Sequence, residues 1–386
     1  MKVCGIIAEY NPFHNGHAYH VQMAREKTNA DVIVAVMSGN FLQRGEPAII
    51  DKWQRAQAAV ANGVDLVIEL PFEWAVQSAD FFARGAIQLL ADIGCTALCF
   101  GSDSSQSFDY THFGQLYKEN KANIQESFKQ ITDPRLSYAQ KMMQSMTNHF
   151  PDMNFEENQP NHILALSYAK ENAELVHPME LFAIDRKQAE YHSTELKGEI
   201  ASATAIRLAV SNKQSVCSFV PKETMISLEA SVHDWESLWP FLKYRLQMDS
   251  LEQLKGIYQM VDGLEYRLQK KANECAGFSE FMESVSSKRY AKARVQRLCL
   301  YTLLAISTEQ MQAQWQHPAI RPLAFNEKGK QILKQTNGKL PIVSRFAKKE
   351  AQAFPLTLKA DRMYQLANPL VVEQNFGRYA FLSKKP

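Results

Sequence analysis

The sequence predicts an α/β domain built on a parallel sheet, followed by a mainly α-helical second domain. Strand-like and helix-like segments alternate along the first half, and the strands are almost continuously apolar. Such strands are typical of a parallel sheet that helices cover on both faces. Past residue 215 helical periodicity prevails and no repeated strand signal appears. We therefore place the two domains at residues 1–215 and 216–386.

Four strands and their connecting helices account for the first hundred residues. The first strand is VCGIIAEY, and a helix begins just after the turn signal NPFHNG. The next strands are DVIVAVMSG, VDLVIELP and CTALCFGSD, with helices between them over residues 52–62 and 75–92, closed by Gly63 and Gly94. Each polar loop that follows a strand should lie at the carboxyl edge of the sheet, where ligands bind in open α/β folds.

The remaining segments are mostly helical. Residues 107–177 have a helical pattern with polar loops, HPMELFAID predicts a late strand, and IASATAIRLAV predicts a turn that enters a helix. In the second half, residues 235–247, 251–271 and 288–306 show helical periodicity.

The composition is that of an ordinary globular protein. Since 46% of the 386 residues are hydrophobic and 22% are charged, the chain can bury a full core. The N-terminus has no signal-peptide pattern, and no apolar run approaches the roughly 20 residues of a membrane span, so we expect a cytoplasmic protein. The six cysteines include no C-x-x-C, which favours reduced thiols over disulfides or zinc.

Charge is divided unevenly along the chain. The segment through Glu199 has 16 Lys and Arg against 25 Asp and Glu, a net charge of −9, whereas the remainder carries +11. A basic half joined to an acidic half suggests that the basic half meets a polyanion. Solvated helices that happen to be rich in lysine would give the same count.

The turn after the first strand carries His14 and His17 around Gly16. A loop that enters a helix presents unpaired backbone N–H groups and the positive end of the helix dipole, and both favour phosphate. Imidazole donors there would stabilise charge that develops at phosphorus. His14, His17 and His20 could instead bind a metal, but no cysteine or acidic cluster accompanies them. An ordinary surface turn is the third alternative.

Two motifs carry a resemblance to a known superfamily. FHNGH resembles the H-x-G-H signature of the nucleotidylyltransferases, and IASATAIR resembles their second signature, at a helix start. The resemblance implies a Rossmann-like nucleotidylyltransferase fold of the HUP type. It further implies that His14 and His17 stabilise the α-phosphate of ATP, while Ser202, Thr204 and Arg207 bind the β and γ oxygens. Ala203 stands where the family commonly has serine.

The resemblance narrows when more segments are included. AEYNPFHNGHAYH, VMSGNFLQRGEPAI, VIELPFEWAVQSAD, FGSD, PNHILALSY, KRYAKARVQRL and FNEKGKQIL together resemble the bacterial tRNA(Met) cytidine acetate ligase family over nearly the whole chain. That family makes acetyl-adenylate from ATP and acetate and passes the acetyl group to N4 of the wobble cytidine of elongator tRNA(Met), forming N4-acetylcytidine. By position, the implied ATP contacts are Ile7, Ala8, Glu9, Tyr10, Asn11, Pro12, Phe13, His14, Asn15, Gly16, His17, Ala18, Tyr19, His20, Gly101, Asn161 and Arg186.

The chemistry places demands on the site. Acetate must attack the α-phosphorus of ATP with pyrophosphate leaving, and Mg²⁺ is expected to offset the charge. Because acetyl-adenylate hydrolyses in water, the site should be enclosed. The loop residues Phe13, Phe41, Phe72 and Trp74 are candidate walls, although they could equally be core residues.

A basic segment in the second half is the candidate tRNA surface. SSKRYAKARVQR places Lys288, Arg289, Lys292, Arg294 and Arg297 around Tyr290, where some of them could contact phosphates. On a helix these charges spread around much of the circumference, so a solvated basic helix is the alternative.

Two other functions remain open at this point. One is an adenylyltransferase that acts on a small cofactor precursor, which would not need the basic half. The other is a nucleic-acid-binding protein whose nucleotide site is regulatory, which the intact His14, Gly16, His17 and Arg207 argue against.

Overall fold

A computed structural model of the chain describes residues 1–102, 108–133, 136, 138–153, 155, 160–185, 200–261, 263–287, 290–336 and 340–384. The strands are β1 (Val3–Ala8), β2 (Val32–Ser38), β3 (Leu66–Leu70), β4 (Ala97–Ser102), β5 (Glu180–Asp185), β6 (Pro322–Phe325) and β7 (Phe381–Leu382). The helices are α1 (Asn15–Thr28), α2 (Lys52–Ala61), α3 (Phe72–Ala75), α4 (Ala79–Asp92), α5 (Tyr110–Gln130), α6 (Tyr138–His149), α7 (Pro160–Ala173), α8 (Ala203–Ser211), α9 (Lys222–Ala230), α10 (Trp235–Met248), α11 (Leu251–Lys255), α12 (Leu264–Glu274), α13 (Phe278–Val285), α14 (Lys292–Leu303), α15 (Thr308–Trp315), α16 (Glu327–Gln335), α17 (Lys348–Ala353) and α18 (Pro355–Ala367).

The strands form one sheet in the order β5-β4-β1-β2-β3-β6-β7. Every described pair is parallel except β3 with β6, which confirms the predicted α/β fold. The chain runs outward from β1 through β2 to β3, and then returns to lay β4 on the other side of β1. The strand order therefore reverses between β1 and β4, and a crevice opens at such a switch point.

Some predicted helices have different bounds in the structure. The helix expected over residues 75–92 begins four residues later, as α4 at Ala79, because its N-cap Ser78 is extended at φ −64° and ψ 161°, while Ala75 ends the separate short helix α3. The helix expected over residues 251–271 is divided into α11, which ends at Lys255, and α12, whose N-cap Gly263 adopts the left-handed conformation at φ 86°. The helix predicted from residue 288 begins as α14 at Lys292, and residues 288 and 289 lie outside the described part.

The C-terminal half contributes two strands that the sequence did not predict. β6 adds to β3 in antiparallel orientation, and β7 adds to β6. β6 is only four residues long and begins with Pro322, so it gives almost no strand signal. The domain boundary between residues 215 and 216 stays a prediction. Strands from both sides of this boundary belong to the same sheet.

Apolar clusters cover both faces of the sheet and fill the helical region. α4 to α7 pack on one face, around Phe82 and Phe113, and α1 and α2 pack on the other, around Phe13 and Trp53. A third cluster unites α10 to α15 with α18 and includes Phe41 from the loop after β2. Within the described ranges no helix combines the length and the apolar character needed to cross a membrane.

A group of four buried charged side chains, the ion cluster, joins the sheet to the C-terminal half. It consists of Lys52, Glu69, Arg321 and Asp361. Lys52 Nζ donates to Glu69 Oε1 at 2.7 Å and to Asp361 Oδ2 at 2.6 Å, and Arg321 Nη1 lies 3.1 Å from Glu69 Oε2. Burial favours the neutral acid, yet Lys52 and Arg321 hold the pKa of Glu69 below its ordinary value. Burial and the Glu69 carboxylate raise the pKa of Asp361, whereas Lys52 and Arg321 oppose that rise, so the four buried groups hold one another in place.

Candidate active site

A cavity of about 520 Å³ opens at the carboxyl edge of the sheet. Ile7, Gly101 and Asp185 line it at the ends of β1, β4 and β5. Helices α1, α7, α8 and α14 contribute its sides, with Arg207 on α8 and Arg297 on α14. The cavity therefore lies at the switch point between β1 and β4, where open α/β sheets bind ligands.

His14 and His17 cap the N-terminus of α1 through each other. The backbone N–H of Gly16 donates to His14 Nδ1 at 3.0 Å, and the backbone N–H of His14 donates to His17 Nδ1 at 3.3 Å. The two rings stack with centroids 3.7 Å apart. Because each Nδ1 accepts a hydrogen bond, each neutral ring carries its proton on Nε2. Both residues line the cavity, so the motif supplies two imidazole donors at this point.

The first backbone amides of α1 are already engaged, contrary to our expectation that they are unpaired. Asn15 N–H donates to the Phe219 carbonyl oxygen at 3.0 Å, and His17 N–H donates to the His14 carbonyl oxygen at 2.8 Å. Gly16 is required here for space, since a Cβ would lie 2.9 Å from the His14 ring and 3.1 Å from Ile200. The imidazoles, rather than these amides, are the donors that the helix start provides.

Tyr10 packs against the loop that carries His14 and His17. Its backbone is left-handed at φ 50°, which is uncommon for a residue other than glycine. The buried ring makes edge contacts with Phe13 at 4.8 Å and with His17 at 4.9 Å between centroids. Packing therefore fixes the loop that presents both histidines.

Arg207 enters the cavity from the second turn of α8. Its Nη1 donates to the Asn11 carbonyl oxygen at 2.9 Å and its Nη2 donates to Thr204 Oγ1 at 3.4 Å, while Glu46 Oε2 lies 3.7 Å from Nη2. The Ser202 hydroxyl accepts from Ala205 N–H at 3.0 Å and so caps the helix. These contacts attach the second motif directly to the first.

Glu9 lies at the cavity floor just after β1. Its Oε1 accepts from the Gln43 backbone N–H at 2.8 Å. Burial raises the pKa of Glu9, and the nearby Glu46 carboxylate adds to that effect. The buried Arg55 guanidinium donates to the carbonyl oxygens of Glu9 at 2.6 Å and Ser38 at 3.1 Å, which ties the loops after β1 and β2 together.

The structure brings most of the predicted site residues to one cavity. Those that line it are Ile7, Ala8, Glu9, Tyr10, Asn11, His14, Gly16, His17, Tyr19, His20, Gly101, Asn161 and Arg207. Pro12, Phe13, Asn15, Ala18, Ser202 and Thr204 lie behind or beside its wall. Arg186 lies outside the described residues.

The predicted aromatic walls are placed differently. Phe13, Phe41 and Phe72 are buried in apolar clusters, and Trp74 packs against Trp315 with ring centroids 5.7 Å apart. None of the four lines the cavity. Phe13, Phe41 and Phe72 are therefore core residues, and Trp74 is half-buried on α3 against the core.

Other side chains form the wall instead, and the sequence reasoning missed them. They are Gln43, Arg44, Phe82, Phe100, Ile163, Leu164, Tyr168 and Ile184. Arg297, which the sequence predicts only as one basic residue of the candidate tRNA segment, also lines the cavity. Phe100 directly precedes Gly101, and Gln43 and Arg44 lie in the quoted loop VMSGNFLQRG, so position after a strand was an available signal. For the others, no local pattern separates a cavity residue from a core residue.

The N-terminus of α14, the candidate tRNA helix, meets the same cavity. Lys292 is exposed, and the Arg294 guanidinium lies over the Tyr290 ring, 5.6 Å from its centroid. Ala293 and Arg297 line the cavity. Lys288 and Arg289 lie outside the described residues.

Known proteins resemble the chain over nearly its whole length. A model of the family described as HIGH Nucleotidyl Transferase matches residues 1–378. The tRNA(Met) cytidine acetate ligase of Latilactobacillus sakei is 41% identical over 98% of this chain and 97% of that protein. The ligase of the same name from Leuconostoc citreum is 43% identical over 95% of this chain and 93% of that protein.

Solved structures agree with these sequence matches. The apo crystal structure of Thermotoga maritima TmcAL superposes with a TM-score of 0.90 at 30% identity and 99% coverage of both chains. The structure of the same protein bound with alpha-thio ATP gives 0.87 at 29% identity, again with 99% coverage of both. From its motifs, its fold and these matches, the chain belongs to the tRNA(Met) cytidine acetate ligase family of HIGH nucleotidyl transferases.

Proposed function

We propose that this enzyme activates acetate with ATP as acetyl-adenylate and transfers the acetyl group to N4 of the wobble cytidine of elongator tRNA(Met). The product would be N4-acetylcytidine. The observation that carries the proposal is that His14, His17 and Arg207 share one cavity with Arg297 of the basic half. The names of the relatives support these substrates, and the relative bound with alpha-thio ATP supports ATP as the nucleotide.

In the first step, an oxygen of acetate attacks the α-phosphorus of ATP and pyrophosphate leaves. Charge then builds on the phosphoryl oxygens, where the Nε2–H donors of His14 and His17 would stabilise it. Arg207 would hold the departing pyrophosphate, since a guanidinium is suited to phosphate. Ser202 and Thr204 would serve the site through the α8 cap and through the orientation of Arg207.

Magnesium would enter with ATP. Among the described residues, no three His, Cys, Asp or Glu side chains gather as a metal cluster. Mg²⁺ commonly keeps several waters and binds substrate phosphates beside one or two carboxylates. It would supply charge neutralisation on the triphosphate, and Glu9 and Asp185 are the carboxylates that line the cavity.

In the second step, tRNA would approach along α14, in the cytoplasm where tRNA is found. The +11 net charge of the segment after Glu199 favours such a polyanion. Lys292 and Arg294 lie at the end of α14 that reaches the cavity, with Lys288 and Arg289 just before them in sequence. Contacts there would hold the tRNA backbone while the wobble base enters.

Two measurements test the proposal. The purified enzyme should exchange pyrophosphate into ATP only when acetate is present, and nucleoside mass spectrometry should detect N4-acetylcytidine in elongator tRNA(Met) only when ATP and acetate are both supplied. Exchange that ignores acetate, or that requires a cofactor precursor, would instead indicate the small-molecule adenylyltransferase. The full-length matches to ligases do not favour that alternative.

A further inference from the structure

Arg297 is a buried cation in the cavity wall, and no carboxylate of the described chain pairs with it. The side chain is 8% exposed. Its Nη1 donates to the Gln43 carbonyl oxygen over a long 3.5 Å, and its Nε has no hydrogen-bond partner among the described residues. The Tyr301 hydroxyl beside it is neutral, because burial raises the pKa of that hydroxyl. Since a desolvated guanidinium without an anion is costly, the site is suited to a ligand that brings negative charge.

Two further cations lie within electrostatic reach of Arg297. Burial lowers the pKa of Arg297, and the nearby guanidinium groups of Arg294 and Arg44 lower it further. Arg294 is half-buried on the same helix, and Arg44 is exposed in the loop after β2, where it lines the cavity. Like charges so close together repel one another, and a bound anion would relieve that repulsion.

The N-terminus of α14 opens on the same part of the cavity. Its N-cap residue, Ala291, offers no side-chain hydrogen bond to the first turn, and Ala293 in that turn lines the cavity. The helix has 12 residues, so its dipole adds positive charge at this end. Arg297 lies one turn further along the helix and lines the cavity as well. A helix start beside a guanidinium is an arrangement that suits phosphate.

Close packing holds these groups in place. Gly45, next to Arg44, adopts the left-handed conformation at φ 81°, and a Cβ there would lie 2.8 Å from the backbone nitrogen of Arg297. The buried Trp235 indole N–H donates to the Gly45 carbonyl oxygen at 2.9 Å. The loop after β2 therefore lies directly on α14, and the positive wall is formed before any ligand arrives.

This wall is separate from the groups assigned to the phosphates of ATP. His14 and His17 begin α1 and Arg207 lies on α8, whereas the wall is built from α14 and the loop after β2. Its positive charge continues out of the cavity, through half-buried Arg294 to exposed Lys292. A compact triphosphate cannot follow that path, but the backbone of a polynucleotide can. A nucleotide whose base reacts in the cavity also brings its own two phosphates close to the wall.

We propose that Arg297, Arg44 and the N-terminus of α14 form a second phosphate site, which binds a backbone phosphate of the tRNA next to the cytidine that is acetylated. This inference rests on the proposed function. Phosphate contacts position a nucleic acid but carry no sequence information. The site therefore sets the distance between the tRNA backbone and acetyl-adenylate, and the choice of base is made elsewhere.

The first experiment removes the charge of one phosphate at a time. Elongator tRNA(Met) is assembled with a neutral methylphosphonate at the linkage on the 5′ or the 3′ side of the wobble cytidine, and its affinity for the full-length enzyme is measured by filter binding. One of the two replacements should weaken binding to the wild-type enzyme about 10- to 100-fold, as expected for hydrogen bonds to a charged group. The same replacement should have a much smaller effect in Arg297→Gln, because the two changes remove the same contact.

The second experiment compares the three substrates. In Arg297→Gln, the KM for tRNA in acetyl transfer should rise about tenfold more than the KM for ATP or for acetate in pyrophosphate exchange. Arg297→Lys, which keeps the charge but loses the planar fork, should be intermediate. Arg44→Gln, at an exposed position, should show the same pattern more weakly. The matched control is Arg267→Gln, since that guanidinium donates to the Ser284 carbonyl oxygen at 3.0 Å and lies outside the cavity.

Specific results would overturn this assignment. Wild-type binding that neither methylphosphonate weakens, or losses that simply add to those of Arg297→Gln at both linkages, would remove the backbone phosphate from the site. An equal rise in the KM for ATP or for acetate would assign Arg297 to that substrate instead. A wild-type enzyme that performs neither exchange nor transfer would contradict the proposed function itself, and the two failures are thereby distinguished.

Discussion

The cavity and the ion cluster are both groups of charged side chains at the sheet, and they differ in how their charges are balanced. In the ion cluster every charge has a partner of opposite sign within 3.1 Å. In the cavity wall Arg297 has no carboxylate partner in the described chain, and Glu9 has an elevated pKa. The difference separates two uses of buried charge, since balanced charge fixes the structure and unbalanced charge anticipates a ligand.

Removal of the central cation of the ion cluster should have the largest effect. In Lys52→Met, Glu69 and Asp361 would be left buried beside each other, and the free energy of unfolding should fall by about 3–5 kcal/mol. Urea unfolding monitored by circular dichroism measures this. The control is Lys121→Met, whose ion pair with Glu174 is exposed and should contribute at most about 1 kcal/mol. Similar losses in both variants would mean that the cluster is not a balanced unit.

Substitutions in the cavity should reduce activity strongly and stability only slightly. His14→Ala and His17→Ala each remove a donor to the transition state, so acetate-dependent exchange should fall by about 10²- to 10³-fold, or about 3–4 kcal/mol. Loss of the helix cap should reduce the free energy of unfolding by only about 1 kcal/mol. His112→Ala, on an exposed position of α5, is the control. Near-normal exchange in both variants would remove the imidazoles from the mechanism.

Glu73 is a buried carboxyl group that does not belong to the ion cluster, and it tests how burial changes the pH dependence of stability. Burial raises its pKa to about 8, and Glu69 contributes to the rise. The folded state thus retains a proton that the unfolded state releases above its ordinary pKa of 4.5. The stabilisation is complete below pH 4.5 and is lost as the pH rises towards 8. Glu73→Gln should flatten this dependence by at least about 1 kcal/mol between pH 5 and 8 in urea unfolding. An unchanged slope would contradict the assignment.

The smallest effect is expected at the end of α14 that reaches the cavity. Lys292→Gln combined with Arg294→Gln should weaken tRNA binding, and the slope of log affinity against log salt should become shallower by about 1 for each charge that contacts phosphate. Filter binding over a salt series measures the slope. Pyrophosphate exchange in the same variant is the comparison, and parallel losses of exchange and tRNA binding would argue against a dedicated tRNA surface.

Local patterns predicted the parts of the molecule that are built locally. The strands up to β5 follow continuous apolar runs, and His14, Gly16 and His17 form their cap within four residues. A second short motif, IASATAIR, predicted Arg207 as a site residue. In each case neighbouring residues carry both the structure and the signal.

The remaining features depend on contacts that the sequence does not mark. Lys52 and Asp361 are partners although 309 positions separate them. Arg297 is one of several basic residues in its segment, and only the packing of α14 against the Gln43 loop turns it into the cavity. Phe41 and Phe100 are both aromatic residues near strand ends, but Phe41 packs into the helical core while Phe100 reaches the cavity wall.

The ion cluster also bears on how the protein is made. Lys52 leaves the ribosome 309 residues before its partner Asp361. At about 5–20 residues per second, synthesis of the intervening chain takes roughly 15–60 s. Until β6 emerges the sheet is incomplete beyond β3, and Lys52 has only Glu69 of the ion cluster as a partner, so the cluster cannot yet be closed off from water. The N-terminal half should therefore remain partly open until the last segments emerge, so a ribosome-bound chain arrested before β6 should be cleaved near α2 by a protease that leaves the finished protein intact.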